Sequence, residues 1–288
     1  MKRNFSINAR LITLVCAILF VVVLAISTII FYTFKASLDS SLRSEAIVTV
    51  NFLQEEIKSW FSPLFGQAEA TSYAAASTQG KPQGILPVLK SVIRSNPDIS
   101  DMYWVGQKPY KEGGYFIDGT DWIPPADYDQ SARDWYAGAQ KASGIFLTEP
   151  YLDAITKKIV VSIARKVTFA DGSPQGVVGI DIFITKIGEL VSAKKISPNG
   201  KTYLINKDGL FITNEKAESV LKENIFSGSP LGAVKSEVLA KETKFGIIDQ
   251  AGIYYASTPY SGTDWTLVSY GPLSDIYGGL WSFLARLI

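Results

Sequence analysis

The runs Ile159-Val160-Val161-Ser162-Ile163-Ala164-Arg165-Lys166-Val167 and Gly176-Val177-Val178-Gly179-Ile180-Asp181-Ile182-Phe183-Ile184, joined across Ala170-Asp171-Gly172-Ser173, decide how this chain folds. Both runs are apolar and rich in β-branched residues, and the Asp-Gly pair between them is a strong hairpin signal. Working outward, Ile145 to Leu147, Tyr115 to Asp118 and Ile99 to Val105 read as further strands. A short helix is expected over Arg133 to Gln140 and an amphipathic one over Ile85 to Ser95. A polar, proline-containing loop runs from Thr120 to Asp129.

Downstream, Ile184 to Val191 reads as a linking helix, and Ser197-Pro198-Asn199-Gly200 punctuates a boundary. A second hairpin follows, with Thr202 to Asn206 and Leu210 to Thr213 flanking Lys207-Asp208-Gly209, which reads as a turn. A helical stretch is expected from Ala217 to about Lys241, then strands at Phe245 to Asp249, Ile253 to Thr258 and Trp265 to Tyr270. Hairpin, helices and antiparallel strands therefore occur twice, which places the chain in the α+β class with two related units.

Upstream, Lys35 to about Ser77 carries Leu42, Ala46, Leu53, Ile57, Trp60 and Leu64 at helical spacing. Pro63 is the one candidate kink, and Gly80-Lys81-Pro82-Gln83-Gly84 ends the run. Before it, Leu11 to Tyr32 is almost wholly apolar and uncharged, long enough at ~1.5 Å per residue to cross a bilayer core. Lys2, Arg3 and Arg10 precede it, so the N-terminus is expected in the cytoplasm and the following chain outside. A cleaved signal peptide is the alternative, but its apolar core runs only ~7–15 residues and ends at a small-residue site. Ile276 to Ile288 turns apolar and aromatic again. It reads as the start of a second membrane segment or as an amphipathic helix packed on the domain.

The chain has 288 residues, a net charge of +1, no histidine and one cysteine, Cys16, inside the apolar span. No basic stripe suggests a nucleic-acid partner. The absence of histidine removes the usual zinc sites and Ser-His or Cys-His catalysis, and a single cysteine excludes an internal disulfide. No cofactor or metal is expected, and no enzymatic activity.

Three clusters carry the chemistry: Tyr128-Asp129-Gln130-Ser131-Ala132-Arg133-Asp134-Trp135-Tyr136, then Tyr151-Leu152-Asp153, then Gly176 to Asp181. They supply one guanidinium, aromatic rings and two carboxylates. A small zwitterion needs a cation for its carboxylate and anions for its ammonium. Arginine presents a planar fork to a carboxylate, and aromatic faces with carboxylates stabilise a desolvated ammonium. Plainer roles exist for each: a salt bridge from Arg133 to Asp129 or Asp134, core packing for Trp135 and Tyr136. Asp153 and Asp181 are harder to place, because a buried carboxylate is costly without a partner. Arg133 cannot satisfy both acids and also hold a ligand, so an external ammonium is the economical partner. Asp118 and Tyr103 or Trp104 are candidates for the end that meets a ligand side chain, whereas Tyr115 and Phe116 read as core strand residues.

On Tyr128 with Arg133, Trp135 and Tyr136, on Glu149-Pro150-Tyr151-Leu152-Asp153, on Asp171-Gly172 before Gly176 to Asp181, and on Thr202 to Gly209, the chain resembles the double Cache sensor domains of bacterial transmembrane receptors, chemotaxis receptors above all. The resemblance covers most of Lys35 to Tyr277. It implies a long helix beside two PAS-like units, with the ligand in the membrane-distal one. The organisation it implies is 1–10 cytoplasmic, 11–33 transmembrane, 34–80 stalk helix, 81–192 distal unit, 193–274 proximal unit and 275–288 the start of a second membrane segment. The spacing looks like the amino-acid-binding subset, in which Tyr128, Arg133 and Trp135 would hold the ligand carboxylate. Tyr136, Asp153 and Asp181 would hold the α-amino group. Family members often have Pro where Asp134 stands and Gly where Lys157 stands. The resemblance further implies a homodimer in the bacterial inner membrane, coupled to a cytoplasmic chemotaxis kinase and coupling protein through a further C-terminal region. A sensor for amines or carboxylates on a histidine kinase or diguanylate cyclase is the alternative.

Overall fold

A computed structural model of the chain describes residues 7–78 and 81–279, so Lys2 and Arg3 of the N-terminal charge cluster and most of the second apolar segment lie outside it. One helix, α1, runs unbroken from Ile7 to Ser77 with Pro63 inside it. Its first part, from Leu11 to Phe34, shows its apolar side chains to the outside, with Phe20 68% and Ile29 66% exposed. That part is long and apolar enough to cross a membrane. From Leu42 onward one stripe is buried: Leu42, Ala46, Val50, Leu53, Ile57, Phe61, Leu64, Ala68, Ser72 and Ala75. The steps are four, four and three, an eleven-residue repeat over three turns that stays close to the natural helical period. Phe61, not Trp60, fills the core position at that step. Trp60 is half-buried beside it, and its indole Nε1 donates to Asp98 Oδ2 at 3.1 Å.

Two antiparallel sheets lie along this stripe. The first is built from β1 (Ile99–Gly106), β2 (Phe116–Asp118), β3 (Ile145–Leu147), β4 (Tyr151–Leu152), β5 (Ile159–Thr168) and β6 (Pro174–Phe183), in the order β2-β1-β6-β5-β3 with β4 also on β5. The quoted hairpin is its centre. α2 (Leu86–Ser95) and α3 (Asp134–Lys141) flank it. β6 passes directly into α4 (Ile184–Ser192), which leads to the second sheet. That sheet holds β7 (Lys201–Ile205), β8 (Lys244–Ile248), β9 (Ile253–Pro259) and β10 (Thr266–Pro272), ordered β7-β10-β9-β8.

The expected helix over 217–241 does not form. Its place is taken by short turns at Ala217–Ser219 and Pro230–Val234 and a single turn of helix, α5 (Lys235–Val238). Gly228, Pro230 and Gly232 interrupt any longer run. Leu210 and Phe211 make isolated bridges, to Asn224 and Ile205, in place of a full strand.

Strand alternation divides each sheet into two faces. In the first, Met102, Trp104, Val178, Ile180 and Ile182 join the α1 core, while Tyr103, Val105 and Val177 pack with Trp135, Tyr136 and Ala139 of α3. One register shift matters. β1 pairs Ile99 with Ile182 and Asp101 with Asp181, leaving Ser100 as a bulge. Residues two apart normally share a face; the bulge sends Ile99 to the stalk side and Asp101 to the opposite side.

Two glycines permit this sheet. Gly176 has φ +140°, and a Cβ there would lie 1.9 Å from the Val105 carbonyl oxygen. At Gly179 a Cβ would lie 2.3 Å from the Tyr103 ring. The variant Gly176→Ala should lose about 3 kcal/mol or more, combining positive-φ strain with a backbone clash. Thermal unfolding of the two proteins measures it, and equal melting temperatures would refute the assignment.

The two units touch through polar contacts as well as α1. Trp265 Nε1, at the head of β10, donates to Glu149 Oε1 at 2.8 Å, two residues before Tyr151. Burial pushes the Glu149 carboxyl up, against the hydrogen bonds from Trp265 and Asn206. At the other end of β10, residues 274–279 are helical, and the Tyr277 hydroxyl bonds Asp39 on α1.

Candidate functional site

The face of the first sheet turned away from α1 carries a small cavity. Its lining includes Tyr103, Tyr128, Arg133, Trp135, Asp153 and Asp181, so six of the nine residues singled out from sequence converge on it. Larger hollows lie between α4 and β7, of about 310 Å³, and beside Gln54 and residues 239–266, of about 580 Å³. Every charged side chain that lines them is exposed, so chemistry, not size, selects the smaller one.

Asp181 is the base of the site. It sits on the central strand β6, 4% exposed, facing Ser162 on one neighbouring strand and Asp101 on the other. Its Oδ1 accepts from Tyr103 Oη at 3.0 Å, Ser162 Oγ at 2.5 Å and Tyr151 Oη at 3.2 Å. Oδ2 has only a longer contact from Tyr151, at 3.3 Å. Burial, with the nearby Asp153 adding to it, raises the Asp181 carboxyl to about 7, although the hydroxyl donors oppose the shift. The same burial, reinforced by the Asp181 charge, pushes the phenols of Tyr103 and Tyr151 upward.

Asp153 is buried in a tight turn after β4. Its Oδ2 accepts from Thr156 N and Thr156 Oγ1, both at 2.6 Å. Its other oxygen makes no hydrogen bond among the described residues. Arg133 stands at the rim, exposed, just ahead of α3, with its guanidinium 5.2 Å from the centre of the Tyr128 ring. Neither salt bridge considered from sequence forms. Asp129 pairs with Lys111 at 2.7 Å and caps Ser131, and among the described residues no ion pair engages Arg133 or Asp134. The guanidinium therefore stays available at one end, with carboxylates at the other.

Between these ends the walls are aromatic. Tyr103 and Trp135 lie 4.9 Å apart, Phe116 and Tyr128 5.7 Å, and Trp122 and Tyr128 5.5 Å. Asp121 and Lys157, on the two loops that close the mouth, have φ of 66° and 58°, uncommon for residues other than glycine.

Three expected residues lie elsewhere. Trp104 points into the α1 core because it follows Tyr103 on a strand and so takes the opposite face. Tyr136 is a helical neighbour of Trp135 and turns away, its hydroxyl donating to the carbonyls of Gly106 and Gln107 at 3.3 and 3.4 Å. Asp118 sits behind the lining. Its Oδ1 accepts from Thr120 N at 2.7 Å and Trp122 N at 3.2 Å, holding the loop that carries Trp122. Phe116, read as core, lines the cavity, as do Trp122, Tyr151 and Asp101, for which the sequence reading assigned no role. The one sequence signal that pointed to Tyr151 is its place beside Asp153. Asp101 could have been found by its spacing of two from Tyr103, which puts both on one face of β1.

A sequence profile of the Cache domain matches residues 33–280. The methyl-accepting chemotaxis protein PscA of Pseudomonas syringae pv. tomato is 29% identical over 238 residues, 81% of this chain and 36% of PscA. PctB of Pseudomonas aeruginosa, another methyl-accepting chemotaxis protein, is 32% identical over 98 residues, 34% of this chain and 15% of its own length. The chain thus spans about a third, or less, of the length of the curated relatives it matches. Among solved structures, the ligand-binding domain of the Pseudomonas fluorescens chemoreceptor CtaA with L-isoleucine superposes with a TM-score of 0.67 at 21% identity. It covers 86% of this chain and 99% of that one. The ligand-binding domain of Campylobacter jejuni chemoreceptor Tlp3 with L-norvaline gives 0.65 at 19% identity, over 83% and 93%. At these identities the likeness is one of fold.

Proposed function

We propose, for a chain that belongs to the Cache domain family, a function as the extracytoplasmic sensor of a bacterial chemoreceptor that binds free L-amino acids in its first sheet unit. The single observation that supports this most is the polarity of the cavity, with an unpaired guanidinium at the rim and buried carboxylates at the base. In this reading Arg133 holds the ligand carboxylate by paired charge-assisted bonds, with Tyr128 and Trp135 beside it. Asp181 and Asp153 hold the ammonium within the aromatic walls. Leu11–Tyr32 anchors the chain in the inner membrane, the stalk supports a homodimer, and a cytoplasmic kinase with its coupling protein receives the output. The chemotaxis proteins among its relatives support that reading.

A cavity of about 30 Å³ has room for about one water molecule. An amino acid is admitted only when the walls at 120–128 and 152–157 part, and closure over it is the conformational event. Closure shifts signalling only by the ligand's differential affinity for the two states. Its path to the membrane runs from Asp181 into α4, and from Tyr151 through Glu149 to Trp265 and along β10. Trp265→Phe removes the donor and keeps the ring. Its affinity should stay within about threefold of wild type, since it lies outside the cavity. Ligand-induced slowing of hydrogen exchange over β10 and residues 274–279 should fall by at least about half. Undiminished protection would exclude this route.

Calorimetry on the full chain in lipid nanodiscs with the proteinogenic L-amino acids tests the central reading. Heat with at least one is expected, and none with any would refute it. Affinity should also depend on pH. The ammonium pairs with ionised Asp181, whose carboxyl titrates at about 7 among Asp153, Asp101, Tyr103 and Tyr151. Binding should therefore weaken about tenfold from pH 8 to pH 6. A flat profile would mean that Asp181 is not the ammonium partner.

A surplus of buried carboxylates over one guanidinium supports a second reading, an amine sensor. Arg133→Ala separates the two, because an amine without a carboxylate would lose little.

A further inference from the structure

Asp101 and Asp118 form an acidic pair that the zwitterion contacts do not use. Asp101 is 3% exposed and Asp118 4%. Each Oδ1 is satisfied: Met102 N donates to Asp101 at 2.6 Å, and Thr120 and Trp122 donate to Asp118. Each Oδ2 is buried and receives no hydrogen bond from any N–H or other O–H group among the described residues. The two carboxyls lie against each other, and no lysine or arginine among the described residues pairs with either. Burial first, then the proximity of Asp118 and Asp181, raises the Asp101 carboxyl to about 10, so Asp101 holds a proton at neutral pH.

Asp101 lines the cavity. It shares that face with Tyr103 by strand alternation and stands directly opposite Asp181. Asp118 is the cross-strand partner of Tyr103 on the same face. An unsatisfied acid pair behind a core would be cheaper as an apolar pair of similar size. Here it is set beside the candidate ammonium site, one strand across from Asp181.

We propose that Asp101, backed by Asp118, is a second cation seat in the cavity, which makes the sensor selective for L-amino acids whose side chain ends in an ammonium. This rests on the amino-acid reading above and specifies its ligand class. A side chain of three or four atoms, starting from an α-ammonium on Asp181, spans one strand to Asp101. On arrival its ammonium takes the place of the Asp101 proton, which leaves to solvent, so Asp101 is ionised against a positive group with Asp118 behind it.

The test is calorimetry on the full chain in nanodiscs with L-ornithine and L-norleucine, which match in side-chain length and differ in the terminal ammonium. Ornithine should bind at least about tenfold tighter, because a site built around a charge rejects the analogue lacking it. Compared between phosphate and Tris, its binding heats should report about one more proton released than those of norleucine. In Asp101→Asn the preference and the extra proton release should both vanish. Asp118→Asn should reduce both partly, which guards against a folding defect in the first variant. Norleucine binding as tightly as ornithine to wild type overturns the cation seat and leaves the amino-acid reading standing. A preference that survives in both folded variants also overturns it. Binding of neither ligand, nor of any other amino acid, overturns both.

Discussion

Replacing Arg133 by alanine should weaken L-amino-acid binding by about 100-fold or more, with the protein still folded. A bidentate carboxylate contact contributes two charge-assisted bonds of about 1.5–3 kcal/mol each, and tenfold in affinity is about 1.4 kcal/mol. Arg133 is exposed and makes no ion pair among the described residues, so its removal strands no buried partner there. Calorimetry against wild type measures the loss, and an unchanged melting temperature separates it from misfolding. Arg133→Lys should recover only part of the affinity, because an ammonium does not reproduce the planar fork. Retention of full affinity in Arg133→Ala would move the ligand carboxylate elsewhere and favour an amine ligand.

Asp181→Asn should act in opposite directions on affinity and on stability. The amide keeps an acceptor for the hydroxyls of Tyr103, Ser162 and Tyr151 but carries no charge. Losing the central anion of the ammonium site should cost about 30-fold or more in affinity at pH 8, where a hydrogen bond to a charged group is worth roughly 2 kcal/mol or more. The ligand-free protein should melt higher than wild type at the same pH. The sign follows from linkage. The folded carboxyl titrates at about 7, above its ordinary value, so native Asp181 holds a proton that the unfolded chain has already released. Wild type therefore loses stability as pH rises from about 4 through 7, by an amount on the order of 4 kcal/mol, and asparagine escapes that loss. The gain should shrink as pH falls from 7 and disappear near 4. A variant less stable than wild type at pH 8 would mean that the charge is compensated within the protein, and the argument for an external ammonium would fail.

Much of the architecture was legible residue by residue. Leu11 to Tyr32 is almost wholly apolar and uncharged, and the stripe from Leu42 to Leu64 follows helical spacing, because burial of a helix against a sheet is a periodic and local demand. The Asp171-Gly172 hairpin and the flanking β-branched runs likewise declare themselves through local sterics. Arg133, Asp153 and Asp181 could be named together because a charged side chain among apolar neighbours needs a reason.

Facing was not legible. Tyr103 and Trp104 are adjacent on one strand, and alternation says only that they point opposite ways; which one meets the cavity depends on where α1 packs. Trp135 and Tyr136 pose the same question on α3, and the structure turns only Trp135 inward. Asp101 shares a face with Tyr103 by the same alternation, but only pairing with β6, some eighty residues further along the chain, sets it opposite Asp181. Trp122 enters from a loop positioned by the Asp118 carboxylate. The sequence alone determined which chemical groups the protein owns and the local elements that carry them. Tertiary structure decided which of those groups share one cavity, because register and facing are settled by contacts between residues far apart in the chain.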